Sequence, residues 1–159
     1  MSHDDQPAFT SLEDAEKSRR QRLVLGISSL VLALASGFYG ITNIIAVVSA
    51  TKAIEAAGGQ VPPSAMSLAV TVISVFCAVA LAYLAVGIWN LIARNTGRSA
   101  PLIAALALSS VVVVLTVIFM AATAAASPIQ IVSLGLNVLI IIRTAALLRR
   151  KRAAVPGAV

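Results

Sequence analysis

Histidine, cysteine and tryptophan each occur once in the 159 residues, and only six residues are acidic. These scarcities exclude whole classes of chemistry. A single cysteine, Cys77, can neither close an intrachain disulfide nor seed a cysteine metal cluster, and its place amid apolar residues reads as small-residue packing. His3, Asp4, Asp5, Glu13, Asp14 and Glu16 all lie at the N-terminus, which leaves only Glu55 elsewhere. No imidazole or carboxylate is therefore positioned within an apolar stretch for acid–base work or metal ligation. Proton-coupled transport meets the same obstacle, because its relays use ionisable groups inside the membrane. The sequence also lacks a Walker loop, a glycine-rich dinucleotide motif and a zinc-protease helix. It reads as a non-enzyme, with no cofactor and no metal.

Charge is scarce as well, at 11%, where a soluble domain averages about 25%. Hydrophobic residues make up 59%, more than a water-soluble core of this length can absorb. They fall into four runs, Leu23–Ala50, Ala65–Ala93, Pro101–Ala124 and Pro128–Leu148, whose only charge is Arg143. Each meets the requirement of about 20 apolar residues for a transmembrane helix. The expected fold is an all-α membrane protein, a four-transmembrane-helix antiparallel bundle over residues 23–148. An N-terminal arm, 1–22, and a basic tail, 149–159, flank it.

The placement of the net charge of +6 gives a topology. Lys17, Arg19, Arg20 and Arg22 precede the first run, Arg94 and Arg98 separate the second from the third, and Arg149, Arg150, Lys151 and Arg152 follow the fourth. Only Lys52 falls in a loop on the other side. The positive-inside rule makes the basic side, with both termini, cytoplasmic. Arg19, Arg20, Arg22, Arg94, Arg98, Arg149, Arg150, Lys151 and Arg152 are then expected at anionic lipid headgroups. Arg143 joins them by snorkelling from near the end of its span. Nucleic acid is not needed to explain these groups, which flank spans without interleaved aromatics.

Ser18-Arg19-Arg20 before Leu23 has the look of a twin-arginine export signal. The apolar stretch behind it exceeds the 7–15 or so residues of a cleavable signal, and further spans follow, so the first span reads as an uncleaved anchor. Thr10 and Glu13 have capping-box spacing, and Glu13–Lys17 and Glu16–Arg20 are i,i+4 pairs. The arm is either a short polar helix running into the first span or a frayed, solvated segment. That span, 28 residues long, measures about 42 Å as helix against about 30 Å of hydrocarbon, so it tilts or projects. Gly58-Gly59 is a natural stop, Ser64 is placed to cap the second span, and Ser99 with Pro101 and Ser127-Pro128 suit helix starts.

Small and polar residues suggest how the helices meet. Gly26, Ser29, Ala33, Gly37 and Gly40 recur at spacings of three and four and so share a helical face. Such a face permits close backbone approach in lipid, either within the subunit or against a partner. Ser109, Thr116 and Thr123 are spaced by seven, as are Gln130, Asn137 and Thr144. An antiparallel hairpin brings Thr123 to Gln130, Thr116 to Asn137 and Ser109 to Thr144, a polar seam with Asn137 near the midplane. The competing expectation is that the hydroxyls bond their own preceding turns. Tyr39 and Tyr83 read as packing residues, and Trp89 as an interfacial anchor.

The stretch Ala85-Val86-Gly87-Ile88-Trp89-Asn90-Leu91, continuing through Arg94-Asn95 to Arg98, resembles small four-span membrane proteins of actinobacterial type. The resemblance covers about a quarter of the chain and implies a bacterial plasma membrane. Since site chemistry is lacking, the expected function is a non-catalytic integral membrane subunit, an accessory or assembly component of a larger complex such as a respiratory or transport assembly. The alternative is a small-solute channel or carrier acting as a homo-oligomer. The expected partners are membrane lipids and either other membrane proteins or copies of the chain.

Overall fold

The computed structural model describes residues 12–96, 98–123 and 128–153, with side chains from 16–96, 98–121 and 130–149. Four helices account for nearly all of it: α1 Leu12–Ala56, α2 Pro63–Ile92, α3 Ala100–Thr123 and α4 Pro128–Ala153. All four are long and apolar enough to cross a membrane. In hydrocarbon a backbone N–H or C=O has no partner outside its own segment, so apolar runs of this length become helices. The chain is thus an all-α four-helix bundle of membrane-spanning type.

The helices outrun the apolar runs at the polar edges. At 45 residues, α1 measures about 67 Å, and it continues unbroken from the arm into the span. The arm's helical alternative is therefore the one observed from Leu12 onward; Thr10, its expected cap, lies outside the described residues. At the other end α1 stops where expected. Gly58 adopts φ +75°, the Gly59 amide donates to Ile54 O at 2.9 Å and the Gly58 amide to Glu55 O at 3.0 Å. This paired 6→1 and 5→2 closure is the Schellman arrangement, which needs a left-handed residue that glycine supplies without a Cβ clash. Ser64 does not cap α2. Pro62 occupies the cap position, Pro63 begins the helix, and no side chain bonds the first turn. Proline at the start removes an amide that would lack a partner anyway, which relieves the need for a cap. The same economy opens α4 at Pro128.

The four helices pair as two hairpins. α1 packs chiefly on α2 and α3 on α4, while α2 against α3 and α1 against α4 are sparser. The hairpins meet at the end carrying the basic clusters, here called the basic end. The most deeply buried apolar side chains, Leu25, Leu32, Tyr83, Leu102, Ala105 and Ile140, belong to one core cluster. Each lies in the half of its helix nearer the basic end, except Ile140, which lies at the midpoint of α4. Toward the opposite, distal end the hairpins part.

Candidate functional site

Two backbones approach closely where α1 crosses α2. A Cβ placed on Gly26 would stand 3.2 Å from Gly87 O, and one on Gly87 would stand 3.1 Å from Gly26 O. Close approach of this kind replaces the hydrophobic drive that helices lack in lipid. Ser29 and Ala33 are buried on the same face, and a Cβ on Gly40 would meet Phe76 and Cys77 at ordinary contact distance. Gly37 departs from its expected packing role within the chain, since a Cβ there would meet nothing within 4 Å. It sits at the rim of the buried arc, at a depth where the hairpins have begun to separate.

Arg22 also departs from expectation, being wholly buried instead of lying among headgroups. Its guanidinium donates from Nη1 to Ala93 O at 2.9 Å and from Nη2 to Arg98 O at 2.7 Å. Both carbonyls belong to the α2–α3 connection, including the short 3-10 turn Ala93–Asn95. The planar fork of arginine can hold two acceptors at once, as the point charge of lysine cannot. Asn90 adds a second tie, donating from Nδ2 to Val86 O at 2.9 Å and to Pro101 O at 3.2 Å. Arg22 and Asn90 together clasp the two hairpins at the basic end. The sequence carried a signal for Arg22 that charge counting overlooks. It lies four residues before Gly26 and Ser18 lies four before that, so both continue the small-residue face; both are buried, whereas Arg19 and Arg20 are exposed.

Nearer the midplane, the Tyr83 hydroxyl donates to Asn137 Oδ1, and Asn137 Nδ2 donates to Ser133 O at 2.8 Å. The expected Thr116–Asn137 pair is thereby replaced. Thr116 donates to Val112 O at 2.7 Å, one turn back on its own helix, and the partner of Asn137 comes from α2. Helix rotation decides this: a residue facing the bundle interior meets the diagonal helix before its hairpin neighbour. Ser109 Oγ approaches the same tyrosine hydroxyl. It falls short of hydrogen-bonding geometry, and Thr144 Oγ1 and Asn90 Oδ1 are also buried without such a partner. Gln130 is half-buried, and the Thr123 side chain lies outside the described residues.

Arg94, Arg98 and Arg149 are exposed at the basic end and Arg143 is half-buried, while the side chains of Arg150, Lys151 and Arg152 lie outside the described residues. Among the described residues no group of His, Cys, Asp or Glu gathers to hold a metal ion. Above the Tyr83–Asn137 pair, where the hairpins part, lies a cavity of about 370 Å³ lined by all four helices. Tyr39 and Phe76 stack along one side, with centroids 5.6 Å apart and planes 12° from parallel. The polar pairs below and the apolar space above are what the fold organises. No family model, curated protein or solved structure matches the chain.

Proposed function

We propose that the protein is a non-catalytic integral membrane subunit that binds a larger membrane protein through the open face of α1, as an accessory or assembly component. The observation that carries this reading is Gly37. It stands in open space at mid-membrane depth, ringed by the exposed Leu34, Phe38 and Ile41. Glycine adds no side-chain packing toward lipid tails. Against another helix it permits the close backbone approach on which association in membranes depends. Gly135 on α4 has the same open surroundings.

The membrane is a bacterial plasma membrane with both termini cytoplasmic, in keeping with the basic clusters flanking the spans. Cysteine introduced at Gln60 in a Cys77→Ser background is expected to label from outside, and at Thr96 only after the membrane is opened. The subunit reading is tested by extracting the chain from its native membrane in mild detergent, sizing the complex and identifying its components. A larger membrane protein in fixed stoichiometry is expected with the wild type and is lost with Gly37→Leu, while Gly37→Leu itself stays folded. A homo-oligomer indifferent to Gly37→Leu would overturn it. A channel or carrier assembled from several copies is the other reading. It draws less support because Leu32, Tyr83 and Ile140 fill the interior of the single chain.

A further inference from the structure

The space between the parted hairpins must be filled by whatever surrounds the protein. Two features decide what that is. Water persists in a cavity only where it finds about two to four polar partners. Here the hydroxyls of Thr71 and Thr116 are turned to Ser67 O and Val112 O on their own helices. Ser36, Tyr39, Gln130 and Ser133 also line it, but apolar side chains, among them four valines, Phe76 and Phe119, supply most of the wall. The second feature is the mouth. Val75, Leu115, Ile118 and Phe119 line the cavity and are 44–59% exposed, so it opens sideways between α2 and α3, into lipid. At the floor, the Tyr83–Asn137 bond and the wholly buried Leu32 and Ile140 close it from the basic end.

We infer that this cavity holds one hydrocarbon chain of a membrane phospholipid, drawn between α2 and α3 from the leaflet remote from the basic clusters. The size fits. A cavity of about 370 Å³ is many times the space that a single small group such as a water needs, so it has room for a run of methylenes. The depth fits too: Ala35, Tyr39, Phe76 and Val112 lie well inside their helices, at the level of lipid tails. A phospholipid is favoured over a neutral lipid by Lys52, the sole Lys or Arg between residues 22 and 94. It is exposed on α1, about 20 Å beyond Tyr39 at 1.5 Å per residue. One leaflet's hydrocarbon is about 15 Å deep, so a chain seated in the cavity brings its phosphate within reach of that cation.

The test is native mass spectrometry of the full chain, purified in mild detergent from membranes and then washed with detergent enough to strip surface lipid. One phospholipid per chain is expected to survive the wash. Val112→Phe, which projects a ring into the cavity, is expected to cut the retained fraction at least five-fold, and Ile103→Phe, at an exposed position of α3 outside the cavity, to leave it unchanged. Should Val112→Phe fail to fold, Ala35→Leu fills the same space from α1 and is expected to lower retention at least three-fold. The inference is overturned if nothing is retained, if the folded cavity-filling variants retain as much as wild type, or if the retained molecule is an isoprenoid lipid or a polar solute.

Discussion

Gly26 and Gly37 share a helical face and look equivalent in sequence, yet the structure gives them opposite tolerances. A Cβ on Gly26 stands 2.7 Å from Leu91 Cγ and Cδ2 and 3.2 Å from Gly87 O. The leucine can swing aside, but the carbonyl is backbone and moves only with α2. Gly26→Ala therefore asks for a shift of a few tenths of an ångström, with a cost of about 1 kcal/mol or less. Gly26→Leu places a branched side chain where α2 passes and must push the two helices apart, a case of overpacking that costs about 1–3 kcal/mol. In water the better helix propensity of alanine or leucine would return about 1 kcal/mol. In lipid it returns little, because the separated helices stay helical for want of other backbone partners. The net expectation for Gly26→Leu is a loss of about 1–3 kcal/mol.

At Gly37 nothing stands within 4 Å, so Gly37→Leu is expected to change the stability of the isolated chain by less than about 0.5 kcal/mol. The assay is reversible unfolding of the detergent-solubilised chain by increasing mole fraction of a denaturing detergent, followed by circular dichroism and proteolysis. Equal tolerance at both positions would refute the backbone contact as the main tie between α1 and α2. Unfolding of the isolated Gly37→Leu chain would refute the open placement of Gly37, and with it the partner reading built upon that placement.

Two other perturbations probe the clasp and the midplane pair. Arg22→Lys cannot span the carbonyls of Ala93 and Arg98 together and is expected to cost about 1–2 kcal/mol, and Arg22→Ala about 3 kcal/mol, as buried acceptors lose charged donors. Arg19→Ala and Arg20→Ala, at exposed positions, should leave the unfolding midpoint in place, and a midpoint equally indifferent to Arg22→Ala would remove the clasp. A double-mutant cycle on Tyr83→Phe and Asn137→Leu is expected to show coupling of about 0.6 kcal/mol, the average for polar contacts in membranes, and at most about 1.7 kcal/mol, whereas Thr116→Val with Asn137→Leu should be additive. Coupling in the second cycle and none in the first would reinstate the hairpin seam.

The helices were legible because lipid leaves the backbone no alternative. The four apolar runs reappear as α1 to α4, and the turn signals at Gly58 and Pro128 fall where the helices end and begin. Extension of α1 back to Leu12 was open in the sequence, since i,i+4 pairs support a helix only weakly. What the sequence left hidden was partner choice. Asn137 had to find a partner, and its period of seven with Gln130 and Thr144 pointed to α3. The period fixes which residues share a face but not which way the face turns, and in the bundle it turns toward Tyr83 on α2. Ser109, on the face expected to form the seam, does reach this neighbourhood, though by approaching Tyr83 and not by a bond to Thr144. Arg22 was concealed by its neighbours: four basic residues before a span look alike when counted as charge and differ only in helical phase.

The distribution of polar groups explains why one half of the bundle is tight and the other open. In lipid the apolar side chains of two helices gain little by meeting, so cohesion falls to close backbone contact and to polar pairs. Gly26 with Gly87, Arg22 with Ala93 and Arg98, Asn90 with Pro101, and Tyr83 with Asn137 supply those ties, and all lie in the basic half or at the midplane. Beyond Asn137 the hydroxyls of Thr71 and Thr116 are spent on their own helices and tie nothing together. There α1 packs chiefly on α2 and α3 on α4, and the cavity lies between the two hairpins. A basic half that fixes the hairpins and a distal half that adapts between them follow from where the sequence places its few polar side chains. Moving one such tie outward, with Val79→Asn and Val112→Asn together on the cavity wall, is expected to draw the hairpins together, shrink the cavity and expel whatever hydrocarbon occupies it; retention of lipid equal to wild type in the folded double variant would refute the idea.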